Sequence, residues 1–88
     1  MYLNIGKDMI IRQRKIIGIF DIDNTTSSKI TKEFLIKAQN EKNLINVCEG
    51  IPKSFVIYEE ENKNIVYLSQ FAPSTLMKRC ENFEEMGL

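Results

Sequence analysis

The sequence predicts an α+β domain: a small, curved, mostly antiparallel sheet with one main helix packed on it and a short C-terminal helix. Three observations carry the prediction. Short runs rich in Ile, Val, Phe and Tyr recur between Gly, Asn and Asp residues, as strands do between tight turns. One long segment instead spaces its apolar residues as a helix does, with Ile30, Phe34 and Ala38 at i, i+4 and Leu35 beside them. The chain has 88 residues, room for one domain that buries roughly two-thirds of its unfolded surface. That domain is expected to span residues 1–88, with an ordered core to about residue 80 and a polar tail, 81–88, that frays.

Each element has a local reason. Residues 2–5 alternate, residues 6–8 turn the chain, and residues 9–12 return, which predicts a hairpin. Residues 16–22 are apolar on both faces and rich in β-branched side chains, the pattern of a central strand. Residues 24–28 are polar cap formers, so a helix is expected to start near Ser27 or Ser28 and run to about Lys42. Residues 44–47 read as a short strand. Residues 55–58 and 65–68 read as a second hairpin, turning at Glu61-Asn62-Lys63-Asn64. Pro73 suits the first turn of a final helix in which Leu76 and Cys80 share a face.

Composition narrows the function classes. Hydrophobic residues make up 43% of the chain, enough for a packed core. No apolar run approaches the roughly 18 residues that span a bilayer. Charges at Lys7, Asp8, Arg12 and Arg14 argue against a signal peptide, so the chain is expected in the cytoplasm and off the membrane. There is no histidine, which removes zinc sites and histidine-based triads as natural readings. Cys48 and Cys80 stand far apart, outside any Cys-x-x-Cys pair, as reduced structural thiols do. No catalytic, metal or cofactor site is expected.

Net charge is zero, from 12 basic and 12 acidic side chains. A nucleic-acid binder usually shows a basic excess. The charges are unevenly spread, however. Residues 1–58 hold nine basic and six acidic side chains, and residues 59–88 hold three and six. Such polarity suits steering or head-to-tail subunit contacts.

The run Ile19-Phe20-Asp21-Ile22-Asp23-Asn24-Thr25 matches the first motif of haloacid-dehalogenase-type phosphatases, in which an apolar strand delivers two aspartates for nucleophilic attack and acid/base work. That chemistry needs a multi-stranded parallel sheet and a later acidic pair for magnesium, and 88 residues are too few for both. The plainer reading ends a strand at Asp21 and makes a turn and helix cap of Asp23-Asn24-Thr25. The run Glu59-Glu60-Glu61 reads as a solvated hairpin lip, and Lys78-Arg79 as cations favouring a helix C-terminus.

Two cationic places remain. Arg12 and Arg14 are two apart, so on a strand they share a face, and Lys15 completes a compact patch. Such a patch contacts phosphate. It equally serves as a charged edge that discourages strand-to-strand aggregation, which is the commoner use. Lys53 follows the rigid ring of Pro52 and precedes an apolar strand, which sets a cation at a strand mouth.

Several segments together resemble the bacterial Rem family of extracellular-matrix regulators, most closely its RemB-type branch. They are Tyr2-Leu3-Asn4-Ile5-Gly6, Ile16-Ile17-Gly18-Ile19-Phe20-Asp21, Phe34-Leu35, Ile51-Pro52-Lys53-Ser54-Phe55-Val56 and Ser74-Thr75-Leu76-Met77-Lys78-Arg79. Each is weak alone; their order and spacing are the specific signal. The resemblance implies a small cytoplasmic regulator that helps switch on matrix and biofilm genes. The family's DNA-binding branch works as a multi-subunit ring without metal or cofactor. This implies a homo-oligomer whose copies add small cationic patches, with Lys15, Lys53, Arg12 and Arg14 contacting duplex DNA. Lys15 matches a basic position of that branch. Ile51-Pro52 stand where it carries an arginine pair, which leaves Lys53 as the nearest cation. Ile51 and Pro52 suit an apolar interface, so the alternative is a regulator that acts through another regulatory protein and leaves DNA alone.

Overall fold

The structure, a computed structural model, describes residues 2–22 and 29–80. Strands β1 (Tyr2–Gly6) and β2 (Met9–Arg12) form an antiparallel hairpin that is a sheet of its own. A single 3-10 turn, Gln13–Lys15, leads into β3 (Ile16–Asp21). Helix α1 (Lys29–Asn40) follows, then β4 (Leu44–Asn46), β5 (Ser54–Glu60), β6 (Lys63–Ser69) and helix α2 (Pro73–Arg79). The second sheet has the order β3-β5-β6-β4, antiparallel except for the parallel pair of β4 with β6.

This α+β architecture is layered by the two-residue alternation of its strands. Val56 and Tyr58 of β5 and Tyr67 of β6 face one way, into a core closed by Leu3, Ile5 and Ile11 of the hairpin and by Leu76 and Cys80 at α2. Phe55 and Val66 face the other way, against Ala38, Phe34 and Leu35 of α1. Pro73 opens α2, and Leu76 and Cys80 share its buried face as the sequence predicts. Both cysteines are buried, and no disulfide joins Cys48 to Cys80.

Four expectations are corrected. The strand over residues 16–22 is β3, an edge of its sheet and not the centre. It is apolar on both faces because layers cover both faces of the sheet, which periodicity cannot distinguish from having two strand neighbours. A bulge at Ile17 also breaks its alternation: Ile16 opposes Tyr58 and Gly18 opposes Ile57. Second, Ile30 does not belong to the packed stripe of α1. It is 78% exposed and rims a shallow recess with Phe20 and Phe34, since no described strand lies beyond β3 to bury it. Third, the second hairpin turns on two residues, Glu61-Asn62, both at positive φ (48° and 66°). Lys63 and Asn64 belong to β6. The φ signs are those of a type I′ turn, whose twist matches the strands. Fourth, Arg12 and Arg14 do not share a strand face, because Arg12 ends β2 and Arg14 sits in the 3-10 turn. The expected cap at Ser27 or Ser28 and the tail 81–88 lie outside the described residues.

Two local devices hold the layers in register. Gly6 has φ +147°, and a Cβ there would meet the Val47 carbonyl oxygen at 2.6 Å, so the hairpin approaches the loop after β4 only because this position is glycine. Ser69 is fully buried; its hydroxyl donates to the Ile5 carbonyl at 2.6 Å and accepts from the Phe71 amide at 3.1 Å. Helix α1 stops in a Schellman motif. The Asn43 amide donates to the Ala38 carbonyl (2.8 Å) and the Lys42 amide to the Gln39 carbonyl (3.1 Å), with Lys42 at φ 62°.

Candidate nucleic-acid interface

Strands β3 and β5 run antiparallel, and this decides where the cations fall. Ile16 opposes Tyr58 and Asp21 opposes Ser54. Lys15 immediately precedes Ile16, and Lys53 immediately precedes Ser54. The two lysines therefore mark opposite ends of the β3–β5 pair, on the order of 20 Å apart at about 3.3 Å per residue. Arg12, Arg14 and Lys15 fall together at one end, with Arg12 and Arg14 exposed and Lys15 half-buried. Lys53 is exposed at the other end and is not brought to them.

Both places are held by main-chain bonds. The Arg12 amide donates to the Tyr58 hydroxyl at 3.3 Å, tying the end of β2 to β5. The Lys53 amide donates to the Ser69 carbonyl at 2.8 Å, and the Lys53 carbonyl accepts from the Ile22 amide at 3.2 Å. The Lys53 backbone is thus anchored on both sides while its side chain stays in solvent. Beside it, Ile51 is 84% exposed and Pro52 is half-buried.

Charge at the Arg12 end is mixed. β5 continues past Tyr58 into the exposed Glu59 and Glu60, and Glu61 follows in the turn. These carboxylates lie at the same end of the sheet as Lys15, which reduces the local positive potential there. No group of three or more His, Cys, Asp or Glu among the described residues is placed to hold a metal ion. Asp21 is half-buried at the end of β3, and Asp23 lies outside the described residues. The strand that carries Asp21 pairs antiparallel at a sheet edge, unlike the parallel strand that the phosphatase motif requires.

The sequence gives no sign of three other features. Arg79 is more than a favourable helix-end charge: its guanidinium lies 4.4 Å from the Phe71 ring centroid, and Nη1 donates to the Asn4 carbonyl at 3.2 Å. Asn4 and Arg79 are 75 residues apart, so no local pattern announces the contact. Gln13 is buried although it sits between cations. Cys48 donates its thiol proton to the Leu68 carbonyl (3.2 Å), and burial pushes that thiol's pKa up against a smaller opposing effect of Lys7.

Similarity to known proteins places this small α+β chain in a family of extracellular-matrix regulators. Residues 2–80 match the RemA-like family model, described as extracellular matrix regulatory protein A-like, and the chain belongs to that family. It is similar to extracellular matrix regulatory protein B of Bacillus subtilis (strain 168), with 38% identity over 81 residues that cover 92% of this chain and 91% of the relative. No described helix is long and apolar enough to cross a membrane.

Proposed function

We propose that the protein is a cytoplasmic regulator of matrix and biofilm genes that binds duplex DNA as a homo-oligomer, with Arg12, Arg14, Lys15 and Lys53 contacting phosphates. The observation that carries this reading is the cluster Arg12, Arg14 and Lys15, three cations within four residues on one surface turn. One chain of zero net charge has little pull on a duplex, so grip comes from copies that present the turn together. Exposed apolar side chains support assembly: Tyr2 (66% exposed) and Ile10 (57%) lie on the outer face of the hairpin, opposite the buried Leu3 and Ile11.

The test is a fluorescence anisotropy titration of duplex DNA at several salt concentrations, with the native mass measured by light scattering. Affinity should fall steeply with salt, and Lys15→Ala should weaken it and flatten the log–log slope by about 0.9 for each copy of Lys15 engaged. Absence of binding at low salt, or a strict monomer, overturns the reading. A second reading is favoured by Ile51, the most exposed of the large apolar side chains described, next to Pro52 in place of an arginine pair. Under it, the protein regulates through another protein. Ile51→Asp then abolishes partner binding in a pull-down while any DNA affinity is unchanged.

A further inference from the structure

The cationic turn has little of its own to hold it. Gln13–Lys15 is a single 3-10 turn, closed by the Ile16 amide on the Gln13 carbonyl, and Arg12 before it gives no side-chain cap. Ile17, just beyond, is the bulge in the β3–β5 pairing and is 59% exposed, so the regular ladder resumes only at Gly18. A turn this short gains too little from its own bond to keep one direction. Its aim is set by contacts from elsewhere in the chain.

Two such contacts are present. Gln13 is buried, and with Ile16, Met77 and Cys80 it lines an apolar cleft of about 190 Å³ between the start of β3 and α2. The other contact is Tyr58. Its hydroxyl accepts the Arg12 amide at 3.3 Å, across 46 residues of sequence. Its backbone stands opposite Ile16 in the β3–β5 pair. One residue therefore takes both ends of the turn: the side chain holds Arg12 at the entry, and the strand position holds Ile16 at the exit. Tyr58 is itself firmly seated. It is 6% exposed, in a core with Leu3, Ile5 and Leu76, and its ring meets that of Tyr67 edge-on at 5.9 Å.

Packing does not require the hydroxyl, since a phenylalanine ring fills nearly the same volume. We propose that Tyr58 is the positioning residue of the DNA contact. Its hydroxyl fixes the direction in which the segment Arg12 to Lys15 leaves the sheet, so that three cations meet phosphates without first having to be ordered. The inference rests on the DNA-binding reading, and it gives a role in that contact to an uncharged core side chain.

The test is Tyr58→Phe in the full chain, read first without DNA. Hydrogen exchange of the Arg12 amide, followed by nitrogen-15 NMR, should speed up about ten-fold, while that of the Lys53 amide at the other end of the pair stays as it was. In anisotropy titrations, duplex affinity should fall about five-fold at every salt concentration, with the log–log slope unchanged because every charge remains. The same loss should recur in a Lys53→Ala background. It should shrink below about two-fold where Arg14→Ala and Lys15→Ala have left little to position. Tyr67→Phe changes the neighbouring ring of the same core and should move neither readout. The proposal is overturned if Arg12 exchange does not change, or if Tyr58→Phe binds DNA as tightly as the unaltered chain. It is also overturned if the loss is equal in both backgrounds, or if Tyr67→Phe reproduces it, since a general loosening of the core would do both. If the unaltered chain binds no duplex at low salt, the DNA-binding reading fails and this role falls with it, even where the exchange result shows the hydroxyl holding the turn.

Discussion

Ser69 joins parts of the chain that the sequence keeps far apart. Its hydroxyl satisfies the Ile5 carbonyl in β1 and the Phe71 amide before α2, with no exposure to water. Ser69→Ala would strand both groups in the core, so unfolding stability should fall by about 2–3 kcal/mol in urea denaturation. Cys48 and Tyr67 make a second residue-scale prediction. Burial raises both pKa values, helped at Tyr67 by Glu60 and Tyr58 and opposed at Cys48 by Lys7. Each group holds its proton more tightly folded than unfolded, so the unfolded state releases protons first as pH rises. Stability should therefore be unaffected by these groups below the ordinary thiol value of about 8.5 and decline above it, first through Cys48 and then through Tyr67. Thermal melts between pH 7 and 11 check this, and Cys48→Ser should remove the earlier part of the decline.

At the scale of the element, most boundaries were legible because they rest on neighbours in sequence. The first hairpin, the start of α2 at Pro73 and its Leu76–Cys80 face follow from local spacing. Ends were less legible. Helix α1 closes on Lys42 at φ 62°, where glycine is the usual residue and only the backbone reveals the requirement. Lys42→Gly should stabilise the protein by about 1 kcal/mol, since a Cβ is disfavoured in that conformation, and the melting temperature should rise accordingly. The turn of the second hairpin lies where the sequence places it but is two residues, Glu61-Asn62, and not four, for a related reason: it lacks the Asn-Gly pair that advertises a type I′ turn, and strand pairing imposes the positive φ values instead.

At the scale of the whole molecule, antiparallel pairing of β3 with β5 is the decisive feature. It parts Lys15 from Lys53, which the sequence alone could not show to be together or apart. If both contact DNA, they act independently. The free-energy losses of Lys15→Ala and Lys53→Ala should then add in the double variant to within about 0.5 kcal/mol per copy, as measured by anisotropy at fixed salt. Coupling well beyond that would mean that neighbouring copies bring one subunit's Lys15 beside another's Lys53.

The family and the α+β class were determined by sequence, because ordered short motifs and hydrophobic periods are properties of neighbouring residues. So were the identities of the cations, though not their arrangement. Tertiary structure alone made β3 an edge, split the basic residues between two ends of a sheet, tied Arg79 to Asn4 and left the Gln13 amide in an apolar cleft. Each of these depends on which distant strands meet. That choice is governed by the packing of both sheet faces at once, and no local period records it.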